Sequence, residues 1–566
     1  MVMRGETIRH RCVVWSALAL VAVAGCHASP DDPAGQAKEL ADPVRRENAI
    51  ANLTRIYAAA LSKHHGDRSQ EDVAKLADII VEPLTRTYME HPEDNRNGRL
   101  ILDLLYEIRD PRALPALMKA LDWRPEVNEE HAIRAAKTLR VIDIQESRAA
   151  DITKALAQAL DRVSQPRPVD NRMRKEFIET LGSVGKTHAV PVLLEVITSE
   201  EETQNFLFKR LAMQQLAGIG DPATVPVLIK GLFMFDPNNP RVRMNDVAAE
   251  ALASVGQPAL KPLIEVLAGQ NAEVVALVKR YITAVRSNDR AAAAQMNPSG
   301  LMAIEASYAL GELGLRDAMP VLLAETKNAD EGRRLAAVTA LVRLNRRGPD
   351  NAAIAEALRT VYAQASKEHR PQLIAAMQHM IEPGLLPFLL GEAQREETEL
   401  PQLRMMALRA YTLLANQSEA EAARALIRAE PGAQDGGFRA AFEKDNMTTL
   451  AVIKDCDTKL ACWESKLSAP DAGVVAKAAY MIARYGRGNN AALQALISKL
   501  DHPSKDVRAD LLYVIDYVAD KGSVEAAEKI TKLHDAEQGR ASWNQIRSLA
   551  LLTRARLRSR APSKRF

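Results

Sequence analysis

The sequence predicts an all-α fold, an α-solenoid in which antiparallel helix pairs stack into a right-handed superhelix. Three observations predict it. Hydrophobic residues make up 47% of the 566 positions but aromatics only 4%, so Leu, Ala, Val, Ile and Met must build the core, which favours helices over sheets. A two-part helical unit recurs every 35 to 40 residues. No segment alternates apolar and polar residues as strands do, and tight hairpin signals are missing. Charged residues at 26% exclude a disordered composition.

Residues 1–25 read as an address rather than as part of the fold. Arg4, Arg9 and Arg11 form a basic start, and Val13 to Gly25 is apolar or small. That run is shorter than the roughly 20 residues a membrane helix needs. It ends in Val23-Ala24-Gly25-Cys26, which resembles a bacterial lipobox. The resemblance implies cleavage before Cys26, lipidation of its thiol and acylation of the new N-terminus. The membrane is then a partner through a lipid anchor, held at about 0.8 kcal/mol per buried CH₂. The alternative is a plain secretory signal with an incidental Cys. His27 stands where the enteric inner-membrane retention signal has Asp, so the expected location is the bacterial cell envelope, outer membrane favoured. Residues 26–41 read as a flexible tether. Removing Arg4, Arg9, Arg11 and Glu6 leaves 72 basic and 71 acidic residues. That near-neutral balance argues against nucleic acid as a partner.

Residues 42–108 read as a divergent N-terminal cap of long helices, Arg45–Leu61, Gln70–Glu90 and Gly98–Ile108, with Pro83 kinking or breaking the second. From 109 to 430 a unit repeats. One half reads D-P-x-x-x-P before an apolar stripe, as at Asp110 to Leu121 and Asp221 to Leu232, with looser copies at 186–197, 256–267, 315–326 and 382–393. Pro191 to Pro226 is 35 residues and Pro226 to Pro262 is 36. The other half is an Ala/Leu-rich helix that commonly ends on Gly, as at 181–185, 216–220, 252–256 and 310–314. Gly supplies the left-handed cap, and the next Asp-Pro opens a turn into the following helix. Neither helix buries its stripe alone, and stacking neighbours makes a continuous core.

This unit resembles the HEAT repeat, in the short bacterial form also found in phycobilin lyases. The resemblance covers 42–558 and is strongest over 172–345 and 470–535. It implies that the Pro-containing helix faces the convex side. The Arg-bearing helix then lines the concave side, its Arg tying neighbouring repeats. The helices so placed are 206–219, 243–255, 303–313, 333–344, 404–414, 474–485 and 507–518.

Three regions depart from the period. Pro262 to Pro320 is 58 residues, about 20 too long, and the surplus near 271–300 reads as a helical insertion around Val274–Val285. Residues 431–468 read as an irregular segment. With Cys12 cleaved off and Cys26 lipidated, Cys456 and Cys462 remain, and a disulfide between them is expected in an exported chain. Free thiols or a redox pair are the alternatives. Repeats resume over 469–558, and 559–566 is a basic tail. Arg554, Arg556, Arg558, Arg560, Lys564 and Arg565 either touch anionic headgroups or an acidic partner, or form a solvated helix end.

Catalytic signatures are missing. Gly182 to Thr187 imitates the end of a phosphate-binding loop, but Thr180 stands where that loop needs Gly, so no nucleotide is expected. His64 and His65 are adjacent and make a poor bidentate site. His131 follows Glu129 and Glu130 at a helix start, where the acids suit the positive N-terminus without catalysis. No cofactor and no metal are expected. The expected function is a non-catalytic protein–protein interaction scaffold, lipid-anchored in the envelope, holding an unknown protein or peptide on its concave face. Arg210, Arg243, Arg334, Arg404, Lys477 and Arg508 are the candidate binding residues. The alternatives are an envelope enzyme or accessory subunit, and a structural protein contacting peptidoglycan.

Overall fold

A computed structural model describes residues 28–122, 129–163, 168–199, 206–286, 291, 296–344, 351–395, 401–430, 438–519, 521–537 and 543–560. The expected signal peptide over 1–25, Cys26, 287–290 and 292–295 of the insertion, 431–437 and the 561–566 end lie outside them. The described residues form two compact units, divided between Val192 and Leu193.

Unit one begins with α1 (Pro33–Glu39). Asp32 starts it by accepting the Ala34 N–H at 3.1 Å, and Pro33 takes the first position, where its missing N–H is tolerated. Leu40 is buried and α1 packs on α2 (Arg46–Lys63) and α3 (Glu71–Glu90). The expected tether over 26–41 is therefore folded from 28 onward, because Ala37 and Leu40 supply an apolar stripe that the helices α2 and α3 cover. Pro83 lies inside α3 and does not end it. It sits on the half-exposed side, where water can serve the carbonyl it leaves unpaired. The stack continues with α4 (Asn95–Ile108), α5 (Leu114–Ala120), α6 (Glu129–Leu139), α7 (Ala149–Arg162) and α8 (Pro168–Val184), and α9 (Val190–Thr198) follows at the division.

The Asp-Pro motif has a uniform local structure. Asp110 accepts the Arg112 N–H at 2.8 Å and caps a short 3-10 turn that runs into α5. Asp221 does the same for Ala223 at 2.8 Å, and Glu382 for Gly384 at 3.0 Å. The first Pro opens the 3-10 turn and the second stands in the first turn of the α-helix, so neither removes a needed N–H.

Unit two continues as a stack of helices. In chain order they are α10 (Phe206–Ile219), α11 (Val225–Gly231), α12 (Asn245–Val255), α13 (Leu260–Leu267), α14 (Ala272–Val285) and α15 (Pro298–Leu313). Next come α16 (Met319–Glu325), α17 (Glu331–Leu344), α18 (Asn351–Gln364), α19 (Arg370–Met380), α20 (Leu386–Gln394), α21 (Pro401–Leu414) and α22 (Gln417–Ala429). The unit ends with α23 (Phe438–Cys456), α24 (Leu460–Lys466), α25 (Ala472–Tyr485), α26 (Asn490–Ile497), α27 (Lys505–Val518), α28 (Val524–Ala536) and α29 (Trp543–Arg560). The expected inner helices are present, and the architecture is an all-α solenoid. Helix α15 approaches α17 closely because Gly311 has no side chain: a Cβ there would lie 2.7 Å from the Ala340 Cα.

Three expectations need correction. A hairpin, β1 (Phe235–Asp236) with β2 (Asn239–Arg243), stands where no strand was expected. Its strands are too short to show alternation, and its turn is made locally, Asp236 accepting the Asn238 N–H at 2.9 Å. The hairpin delays α12 to Asn245 instead of Arg243. Second, the described part of 431–468 is not irregular but helical, as α23 and α24. There Cys456 and Cys462 lie with their sulfurs at bonding distance and Cα atoms 5.2 Å apart, within disulfide range. Third, the basic end is not a free patch, since Arg554 and Arg556 lie within α29 and are built into the fold. Arg560 ends that helix, and Lys564 and Arg565 lie outside the described residues.

Candidate interaction face

The six nominated basic residues all have partners within the chain. Arg210 pairs with Asp246 through both guanidinium nitrogens, at 2.7 and 2.8 Å, and donates to the Arg243 carbonyl, so the structure brings these two arginines together. Arg243 pairs with Glu305 at 2.8 Å. Arg334 donates to the Asn328 and Ala329 carbonyls, and Arg404 bonds Glu430. Lys477 is fully buried and donates to the carbonyls of Thr412, Leu413 and Ala415 at the end of α21. Arg508 pairs with the buried Glu537 at 2.7 Å.

One geometry recurs among them. Arg243 donates to the Leu232 carbonyl at 3.0 Å, and Arg404 to the Ala393 carbonyl at 2.8 Å. In unit one, Arg174 donates to the Val163 carbonyl at 2.7 Å and Arg46 to the Leu40 carbonyl at 2.8 Å. Arg508 reaches the His502 and Pro503 carbonyls in the same way. Each of these arginines, early in or just before one helix, serves carbonyls at the end of the preceding helix or in the turn after it. A cation there satisfies acceptors that have no partner in their own helix and suits the negative end of its dipole. Capping therefore accounts for the Arg that these helices carry.

Two helices of unit two, α12 and α25, are enclosed over most of their length. Every residue from Val474 to Ala483 in α25 is buried, and so is Val247 to Ala253 in α12. Helix α25 is covered by α21, α23, α24 and α27, and α12 is covered in part by the C-terminal helix. Helix α29 packs on α12, α27 and α28 and reaches α15. Arg554 pairs with Glu250 of α12 across 304 residues of sequence. Arg556 is 3% exposed and pairs with Asp516 of α27 at 3.2 Å and Glu312 of α15 at 3.5 Å, and it donates to the Arg343 carbonyl of α17 at 2.6 Å. Arg343 itself pairs with Glu312. Beside this knot His379 of α19 stacks on Tyr513 of α27, centroids 3.8 Å apart. Gln378 donates to the Tyr480 hydroxyl at 2.7 Å, and that hydroxyl donates to Asp510 at 2.9 Å. Unit two thus closes upon itself, and its inner face is occupied by its own C-terminal helices.

The electrostatics follow from this burial. Desolvation raises the Glu250 carboxyl, while Arg554 and Arg558 pull it back. Burial pushes Asp510 up to about 6 against the opposing bond from Tyr480. Burial also lowers Lys477 well below the usual lysine range, and Arg484 adds to it. Burial works against the Arg343 charge as well, but Glu312, with Tyr513 and Tyr308, holds it above its ordinary value. These acids and bases answer one another. The missed sequence signal is the lone acid inside an apolar helix, as in Glu250, Glu312 and Asp516, because a buried charge must find a partner.

In unit one, His131 is buried and bonds the Tyr88 hydroxyl at 2.9 Å and the Asn95 carbonyl at 3.0 Å. Gly98 makes room for it, since a Cβ there would lie 2.6 Å from its Cε1. His64 contacts Asp72 at 2.8 Å, and the Gly182–Thr187 segment is the end of α8 and the start of a 3-10 turn. Among the described residues, no group of three or more His, Cys, Asp or Glu stands where it could hold a metal, and no helix is long and apolar enough to cross a membrane.

Residues 101–122, from the second half of α4 through α5, match the model of the PBS lyase HEAT-like repeat. No curated protein matches. Among solved structures the chain is similar to yeast importin-β (Kap95p), at 13% identity and a TM-score of 0.29, over 98% of this chain and 87% of that one. It is also similar to a structure of Kap95p binding RanGDP, at 12% identity and a TM-score of 0.36, over 96% and 81%. An engineered protein is similar at 16% identity and a TM-score of 0.22, over 90% and 98%.

Proposed function

We propose that this HEAT-type solenoid is a non-catalytic protein-binding scaffold, exported and held in the bacterial cell envelope, outer membrane favoured, by a lipid on Cys26. The observation that supports it is the matching of buried acids and bases in unit two. Glu250, Glu312, Asp510 and Asp516 each lie against Arg or Tyr partners in the stack, an arrangement that suits a rigid frame. The Cys456–Cys462 pair fits an oxidising compartment. Because the six nominated basic residues are engaged within the fold, the proposal does not rest on their charges.

The test is capture of the full-length protein after mild cross-linking in its own cells, with mass spectrometry of what is retained. A reproducible, near-stoichiometric envelope protein supports the scaffold. Retention of the bait in the cell-wall fraction without a protein partner overturns it in favour of a peptidoglycan-contacting role. Turnover of a small molecule by the purified chain overturns it in favour of an enzyme.

A further inference from the structure

We infer that unit one lies directly on the bilayer, with the face formed by α1, the turn after it and α3 set in the lipid headgroups. The inference rests on the lipid anchor at Cys26 proposed above. Its starting point is where the fold begins. The Ala28 N–H donates to the Glu39 carboxylate at 2.9 Å, and its carbonyl accepts from Gln36 at 3.2 Å. Ala28 also packs over Gly35, where an added Cβ would lie 2.5 Å from the Ala28 Cβ. Gln36 is buried, so these bonds hold the chain at Ala28 to α1. Two residue steps separate Ala28 from Cys26. Consecutive Cα atoms are about 3.8 Å apart, so two chain steps give a lipid on Cys26 a reach of at most about 8 Å from Ala28.

A membrane anchored that closely must touch what surrounds Ala28. Glu39, which holds Ala28, is followed by Arg45 at 3.8 Å, and Arg45 adjoins Val44, which is 88% exposed. Beside it, α1 and α3 frame an open hollow of about 350 Å³, lined by apolar residues such as Ala41, Ile79 and Pro83 and by the polar Lys38, Arg86 and Glu90. Val44 and Ile79, exposed beside basic side chains that can snorkel, suit a headgroup boundary. Asp31, Asp32 and Asp42 share the region, so charge does not select anionic lipid, and a zwitterionic bilayer is the fitting surface.

The experiment uses the lipidated full chain, reconstituted in phosphatidylcholine vesicles containing a headgroup nitroxide lipid. Val44→Cys, Ile79→Cys and, further along the stack, Asp143→Cys each carry an environment-sensitive fluorophore. Fluorescence at 44 and 79 is expected to fall by about half, with position 143 nearly unchanged. A Gly/Ser spacer of about 15 residues inserted after His27, reaching about 20 Å, is expected to abolish the difference. Equal quenching at all three positions, or none at 44 and 79, overturns the assigned face while the anchor stands. An unmodified Cys26 in the N-terminal peptide mass overturns the anchor itself and the face with it.

Discussion

Replacing Asp510 by Asn should stabilise this protein at neutral pH. Asp510 is 7% exposed in α27, and its Oδ1 accepts the Tyr480 hydroxyl at 2.9 Å. Burial lifts its carboxyl to about 6, from 3.8 in an unfolded chain. The folded state therefore binds this proton more tightly than the unfolded one. The stability it confers is complete below about pH 4 and is lost as pH rises through about 6. A gap of about two pH units, at roughly 1.4 kcal/mol each, gives a ceiling of about 3 kcal/mol. Asp510→Asn keeps an oxygen for Tyr480 and removes the charge. Urea unfolding followed by circular dichroism, at steps from pH 4 to 8, reads the difference. The variant should exceed the parent by up to about 3 kcal/mol at pH 7.5 and converge with it near pH 4. A variant that is less stable at pH 7.5, or a gap that does not change with pH, refutes the assignment.

The packing makes further predictions. Gly311→Ala drives a Cβ against the Ala340 backbone and should cost about 1–3 kcal/mol, read as a lower melting temperature. Arg243→Glu sets a carboxylate against Glu305 and should destabilise unit two by about 3–5 kcal/mol, so any lost partner capture in that variant would accompany unfolding in circular dichroism. Lys477→Met leaves three carbonyls at the end of α21 without their donor and should cost about 1–3 kcal/mol in urea unfolding. Replacing Cys456 and Cys462 together by Ala should cost about 2 kcal/mol, since the loop they close is short. The same loss should appear in the parent protein under reductant.

The repeat was legible because its signals are local. A Gly such as Gly314, at φ 71°, ends a helix, and Asp110 or Asp221 opens the next turn. Such signals act within a few residues, so one sequence carries them. The hairpin at 235–243 was not legible, because two-residue strands show no alternation. The tether reading failed because Ala37 and Leu40 are few and small, and their burial depends on α3, more than 30 residues on. The closure of unit two was hidden for a related reason. Arg554 and Glu250 are 304 residues apart, and nothing local pairs them. The arginines were visible as a recurring feature, but their capping role appears only when Leu232, Ala393 and Val163 carbonyls are seen to point at them.

The closure of unit two by α29 is tested most directly by exchanging its longest-range charge pair. Glu250→Arg and Arg554→Glu are made singly and together, and unfolding is measured for all four proteins. Each single change places like charges in a buried site and should cost about 3–5 kcal/mol. The exchange should recover at least about 1 kcal/mol relative to the sum of the two, the signature of residues in contact. Strict additivity would mean that the helix does not lie where α12 meets it, and would contradict the closed interior.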